Sequence, residues 1–535
     1  MNRDLPPDDR TDRIVGPGRR SDLDALRAAA MLLGLVLHAA LAYSSLPWPV
    51  RDVEPSSSRP FDVIFFVIHG FRMPLFFLLS GFFAWMLLEQ RGLRGFVPHR
   101  LRRIVLPLLV GAVTVVPLMD AAAGWAGRLD VPARLLAAAY EGDDATVGRL
   151  LAEGAYPDGD PYGQPPSGAF GESPLHAAAL MDHVDVARLL VAAGASTNQG
   201  DANRVEVMGW AVAAGSEGVA EVLVDAGLND PRQSGQGWAD LPGWGDLAAI
   251  ESSEGDAQAF SLHHLWFLWF LAIFTVGSVA VVGVVSVSRR VGARRFSFVQ
   301  RSEREWERWH RLAWALIPLT LVPQLMMGDG GRVRTFGPGA STGLLPAVHH
   351  LAYFAIFFAF GAFLSTRRPG DDRRRIDAFA RHWIVLIVLA IGIAPLGLSI
   401  TFGGGDWTVA SFLQIAFVWL VIPGSIGLFR AVFAEEVRGV RFLADASYWI
   451  YLTHLPVQIW LQAVLVRWDV GPWLKFVVVI VMSMALGLAT YRAFVRYSPI
   501  GWVLNGLRPR PGRSQEPDVM AAARPSAPAA SRGRP

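Results

Sequence analysis

Residues 23–45 read LDALRAAAMLLGLVLHAALAYSS, and the rest of the chain is built outward from this stretch. After Arg27 it is apolar for ten residues, and then His38 appears. The two lie about three helical turns apart, so they share one helix face at a spacing of roughly 16 Å. Such a segment is long and apolar enough to cross the hydrocarbon of a bilayer. A guanidinium at one edge with an imidazole in line inside the membrane is costly. An anchoring helix has no use for that pair. The arrangement points to a group drawn from a charged donor on one side and passed toward the other.

Composition extends this to the whole chain. Of 535 residues, 52% are hydrophobic and 18% are charged, where soluble domains carry about a quarter charged. The mean hydropathy is positive, at +0.33. Cysteine is absent, which excludes thiolate metal sites, disulfides and thiol nucleophiles without fixing the compartment. Residues 1–20 are polar and hold no apolar core, so they read as a disordered cytoplasmic N-terminus and not as a cleaved signal peptide. Residues 506–535 are Pro, Ala, Arg and Ser for the most part, the composition of a disordered tail.

Apolar runs of membrane-spanning length fall near 23–45, 61–88, 104–126, 264–287, 311–327, 344–364, 383–402, 409–429, 446–466 and 473–495. The expected fold is therefore all-α, a polytopic bundle of about ten transmembrane helices. The 61–88 run is long enough to tilt or to bend at Pro74. Arginine in the short loops supports the count. Alternate loops hold five (91–103), eight (288–311), six (366–382) and three (430–442), while the intervening ones hold two, two, none and one. By the positive-inside rule both termini are cytoplasmic, and a bacterial inner membrane is the expected location.

Between the third and fourth runs lies a soluble insertion, expected over 131–255 on the outer side. It contains LLAAAYEGDDATVGRLLAEGA from Leu135, LHAAALMDHVDVARLLVAAGA from Leu175 and MGWAVAAGSEGVAEVLVDAGL from Met208, at offsets of 40 and 33 residues. A 33-residue period with a Leu-His-Ala-Ala start and a Gly-Ala end resembles ankyrin repeats. Each copy is a pair of short helices that must stack to bury Leu and Ala. His176 and His183 are then expected to bond loop backbone. The flanking segments, 21–130 and 256–505, form the membrane domain.

Several polar residues stand out inside the apolar runs. His38 is placed to act as a general base toward an alcohol. In the second run His69 and Arg72 sit one turn apart at a depth comparable to His38. Arg72 either stabilises a developing oxyanion or pairs with Asp62 or Asp120. Ser80-Gly81 allows close helix packing. Arg100 and Arg103 precede the third run on the same face of the membrane as Arg27, where arginines grip phosphates. His264 opens the fourth run and His454 lies in the ninth, both toward the outer side. No carboxylate or thiolate accompanies these histidines at ligand spacing, so no metal site is expected.

Leu23-Asp24-x-x-Arg27, the Arg27/His38 spacing, Phe76-Phe77-Leu78-Leu79-Ser80-Gly81, Arg100-x-x-Arg103 and Tyr451-Leu452-Thr453-His454 together resemble acyltransferase family 3. Arg72-Met73-Pro74-Leu75-Phe76-Phe77 and His264-Leu265-Trp266-Phe267-Leu268 look most like its periplasmic-glucan modifying branch. The resemblance implies a membrane-bound O-acyltransferase moving acetyl or succinyl from cytoplasmic acyl-CoA to a hydroxyl of an extracytoplasmic glycan. It implies His38 as the catalytic residue and Arg27, Arg100 and Arg103 as donor contacts; the placement of the residues themselves adds Arg72 as a second expected catalytic group and His69, His264 and His454 as expected acceptor-side residues. Acyl-CoA is then a substrate, and no bound cofactor is expected. The other partners are membrane lipid and a protein docked on the repeats, with no role for nucleic acid. Typical family members lack the ankyrin insertion. A transporter suits the buried charges and helix prolines, and a membrane-held binding module suits the repeats; both remain as alternatives.

Overall fold

The computed structural model describes residues 20–506, apart from 47, 51, 53–57, 130, 160–171, 199–205, 230–260, 291–313, 328–334, 340, 367–374, 436 and 469. The expected disordered ends, the 157–172 loop and most of the arginine-rich 288–311 loop fall wholly or largely outside those residues.

The chain opens with α1 (Ser21–Leu41), α2 (Ser58–Arg100), a π turn (Leu101–Val105) and α3 (Leu106–Leu129). After the repeats come Trp266–Arg290, the short Leu316–Leu319 and Leu321–Met326, then Val348–Ser365, Trp383–Phe402, Trp407–Val432, Arg438–Leu465 and Pro472–Thr490. Each apolar run expected from the sequence is helical over most of its described residues. Seven helical stretches among the described residues are long and apolar enough to cross a membrane.

The expected number was about ten, and the difference has three physical sources. Residues 58–127 form one continuous helical stretch, because the π turn joins two expected segments without a loop. Residues 316–326 are too short. The Arg438–Leu465 helix is long enough but carries Asp445, Ser447, Tyr448, His454, Gln458 and Gln462, which pull its mean hydropathy down. Those same side chains are nearly all buried, so their polarity faces the bundle and not the lipid.

The backbone of α2 breaks at Gly92 (φ 58°, ψ −175°) and runs on through Pro74. Glycine adopts a positive φ without the steric penalty of a side chain. This break lies beyond the 61–88 run, while the backbone keeps helical angles at Pro74. Earlier in α2, Gly81 lies against the Phe358 carbonyl of the Val348–Ser365 helix, and Gly361 of that helix lies against the Leu78 carbonyl. A Cβ at either position would collide with the opposite backbone, so two glycines hold these helices at their closest approach. Phe77, Phe270, Phe354, Phe357 and Phe360 fill the space around the crossing.

The insertion forms three helix pairs: α4 (Val131–Glu141) with α5 (Asp144–Ala152), α6 (Pro174–Met181) with α7 (Val184–Ala192), and α8 (Val207–Ala214) with α9 (Glu217–Asp225). Leu135, Leu150, Leu175, Leu190, Ala211 and Leu223 share one core. Left-handed residues recur at Gly142, Asp182 and Gly215, at the same offsets of 40 and 33 read from the sequence. His176 closes a capping box with Ser173, and His183 Nε2 lies 3.0 Å from the Tyr140 carbonyl. Both histidines thus bond backbone, as expected.

Candidate active site

On α1 the positions Arg27, Met31, Gly34 and His38 follow one another at helical spacing and form one stripe. Arg72 of α2 lies across the middle of it: a Cβ at Gly34 would collide with its Nη1. The side chain that is missing at position 34 makes room for the cation. Asp62, one of the two carboxylates considered for Arg72, instead accepts bonds from Ser45 N–H (2.8 Å) and hydroxyl (3.1 Å). The other, Asp120, pairs with His263 at 2.9 Å. Arg72 Nε is buried with no partner among the described residues. It is a cation kept available.

One turn before Arg72, His69 donates through Nε2 to the Pro338 carbonyl at 2.8 Å and stacks on Phe65. Residues 335–339 reach it as a loop seated inside the bundle. Gln414 secures that loop with all of its amide: Oε1 accepts from Gly337 N–H and Gln324 Nε2 (2.9 Å each), and Nε2 donates to the Thr335 carbonyl (3.2 Å) and the Thr401 hydroxyl (3.0 Å).

The polar stripe of the Arg438–Leu465 helix faces α1. Gln458 Nε2 donates to the Leu35 carbonyl at 2.9 Å, and Gln462 Nε2 to the carbonyls of His38 and Ala39 at 3.2 Å each. Trp48 Nε1 donates to Gln462 Oε1 at 2.8 Å and its ring stacks on His38, centres 5.9 Å apart. On the other side of His38, the His454 ring centre is 5.4 Å away. His264 lies 5.4 Å beyond His454. His264 and His454 are 8% and 3% exposed.

At the other end of the stripe, Arg27 is held by Asp24 at 3.5 Å and lies over the Phe83 ring. Arg100 lies over Phe96 and Arg102 over Trp502. Arg27, Arg100 and Arg103 are close enough to repel one another. No carboxylate pairs with Arg100 or Arg103 among the described residues. Arg100 and Arg103 thus hold positive charge that no described carboxylate offsets, the kind of arrangement that suits a multiply charged anion.

Two tyrosines connect the ends. Tyr448 donates to the Arg103 carbonyl at 2.7 Å and stacks on Tyr451, 6.3 Å between centres. Tyr451 donates to the His264 carbonyl at 2.7 Å and packs against His454.

The structure therefore brings His38, His69, Arg72, His264 and His454 into one cluster and Arg27, Arg100 and Arg103 into another. Sequence reading missed Gly34, Trp48, Tyr448, Gln458 and Gln462. The last three had a signal, since 448, 451, 454, 458 and 462 recur every three or four residues through an otherwise apolar helix. Gly34 and Trp48 had none.

This geometry agrees with what the chain is similar to. A family profile described as an acyltransferase domain matches residues 20–166 and 224–492, well over half of the chain. A second, ankyrin repeats in three copies, matches 135–233. The two overlap at 135–166 and 224–233, where helices α4, α5 and α9 pack in the repeat core and not in the bundle. Two proteins called glucans biosynthesis protein C, from Escherichia coli strains SMS-3-5 and SE11, are each 40% identical over 97 residues, 18% of this chain and 24% of the relative. The chain thus spans about a quarter of the length of these curated relatives. With the profile match running through both halves of the bundle, the chain belongs to acyltransferase family 3, as a multi-pass membrane protein that carries an ankyrin-repeat insertion.

Proposed function

We propose that this enzyme takes an acyl group, acetyl or succinyl, from acyl-CoA at the arginine-rich cytoplasmic face and transfers it to a hydroxyl of a glycan on the opposite face. The observation that carries this reading is the run of contacts that leads from Arg103, beside Arg27 and Arg100, through Tyr448, Tyr451 and His454 to His38. CoA is rich in phosphate, and planar guanidiniums bind phosphate in a bidentate way. With its phosphates at the arginines, the thioester reaches inward along the stripe of α1.

His38 removes the proton of the acceptor hydroxyl. Arg72, uncompensated and laid over Gly34 between the two ends, stabilises the negative charge that develops on the thioester oxygen. His69, His264 and His454 form the acceptor-side wall. A glycan acceptor accords with the name of the relatives, and the repeats offer a surface for a protein that presents it. Membrane lipid surrounds the bundle, which lies in a bacterial inner membrane with both termini cytoplasmic.

Replacing His38 with Ala is expected to reduce acyl transfer by about 10³-fold or more while the protein still inserts in the membrane. Mass analysis of envelope glycans from cells carrying either form measures this. Undiminished acylation by the variant contradicts the assignment.

A further inference from the structure

We propose that His454 fixes the tautomer of His38, so that His38 Nε2 is the nitrogen presented to the acceptor hydroxyl; this rests on the reading of His38 as the base. His454 Nδ1 lies 2.8 Å from the Tyr451 carbonyl. A carbonyl only accepts, so the single proton of the neutral ring is on Nδ1 and Nε2 carries a bare lone pair. That Nε2 is buried and has no partner among the described residues.

Its neighbours differ in whether they have a proton to give. His264 is the neighbour on one side, with ring planes 78° apart. Its Nε2 approaches the Leu452 carbonyl at 3.3 Å, which commits its proton there and leaves Nδ1 as a second lone pair. Two lone pairs do not bond. Arg72 is also a neighbour, but its guanidinium is laid along Gly34.

His38 stands on the other side, and its Nδ1 is likewise buried without a partner. The two ring centres are 5.4 Å apart and the planes 43° apart. Imidazoles that share one N–H···N bond of about 3 Å have centres about 5 Å apart. The ring centres are therefore at the separation of a bonded pair, and the bond forms once the rings turn their free nitrogens toward each other. Catalytic hydrogen bonds often tighten only once substrate is bound.

The surroundings hold the pair in this relation. Gln458 and Gln462 clasp the carbonyls of Leu35, His38 and Ala39, which fixes one helix against the other. Trp48 closes the far face of the His38 ring. The resulting order is Tyr451 carbonyl, His454 Nδ1–H, His454 Nε2, His38 Nδ1–H, His38 Nε2, acceptor hydroxyl.

In the reaction the hydroxyl proton moves to His38 Nε2 as the oxygen bonds the thioester carbonyl carbon. The C–S bond then breaks with its electron pair going to sulfur. The thiolate takes up the proton from His38, giving ester and free thiol with no net proton gained or lost. His454 stays neutral throughout and, by accepting the bond from Nδ1–H, stabilises the positive charge that His38 holds between these steps. It is a positioning residue that acts through His38.

The test uses purified full-length protein with an acyl-CoA and a glycan acceptor. His454→Ala is expected to lower kcat about 100-fold or more while KM for the acyl-CoA changes less than about threefold. His454→Gln, whose side-chain oxygen can accept the same bond, is expected to stay within about tenfold of the wild type. Nitrogen-15 NMR of histidine-labelled protein reads the tautomer independently of turnover. His38 is expected to carry its proton on Nδ1 in the wild type and to become a mixture in His454→Ala.

A His454→Ala enzyme with wild-type kcat, or an unchanged His38 tautomer, overturns the inference and leaves the base reading standing. Equal losses in Ala and Gln variants with lowered melting temperature overturn it too, since they mark a packing role. Turnover that survives in His38→Ala removes the base reading itself.

Discussion

At the scale of single residues, position 34 is as telling as the charged groups around it. A methyl group there meets the tip of the Arg72 side chain, and a long flexible side chain can move aside. Gly34→Ala is therefore expected to leave the melting temperature nearly unchanged while lowering turnover about tenfold or more, because a shift of the cation away from the oxyanion costs rate steeply. Steady-state kinetics beside thermal unfolding separate the two effects. A variant with wild-type turnover contradicts the role given to Arg72.

The charged residues of this site were legible in the sequence because charge in an apolar run is expensive and has to be used. Gly34 was not legible: a glycine among alanines and leucines carries no sign of what another helix lays upon it. Trp48 has the look of an interface aromatic, and only its bond to Gln462 gives it a place in the site.

At the scale of elements, close approach and polar striping explain how helices far apart in sequence meet. The crossing of α2 with Val348–Ser365 rests on Gly81 and Gly361, where added atoms would meet backbone carbonyls that cannot swing away. Gly81→Ala is expected to destabilise the protein by about 1–3 kcal/mol, seen as a lower melting temperature in detergent. An unchanged melting temperature contradicts the close crossing.

The Ser80-Gly81 pair announced this contact in the sequence, but its partner at Gly361 did not show. The Arg438–Leu465 helix makes the converse case. Its apolar character was enough to mark it as a helix of the bundle, and its buried glutamines are what make it too polar to meet a simple hydropathy threshold. The break at Gly92 gave no sign in the apolar pattern, because it lies past the end of the run in an exposed part of α2.

At the scale of the whole molecule, a membrane bundle and a repeat stack share one chain. The stack is legible in the 33-residue period alone, because each helix pair has to bury the same Leu and Ala positions. What the stack binds has no comparable signature, since binding residues on such surfaces vary while core positions recur. Deleting 131–255 is expected to retain transfer to a soluble glycan acceptor and to weaken transfer to an acceptor that a protein presents. Acylation assays with both kinds of acceptor test this, and loss of transfer to the soluble glycan would place the stack inside the catalytic machinery.

The proposed function at this scale turns on the direction of transfer through the bundle, from the arginine cluster to the histidines. The most direct measurement reconstitutes the protein in vesicles of known orientation and supplies acyl-labelled CoA on one side and glycan on the other. Label is expected on the glycan only when the CoA is on the arginine-rich side, and it is expected to vanish in His38→Ala. Equal labelling from either side, or labelling that persists without His38, would contradict transfer through the bundle.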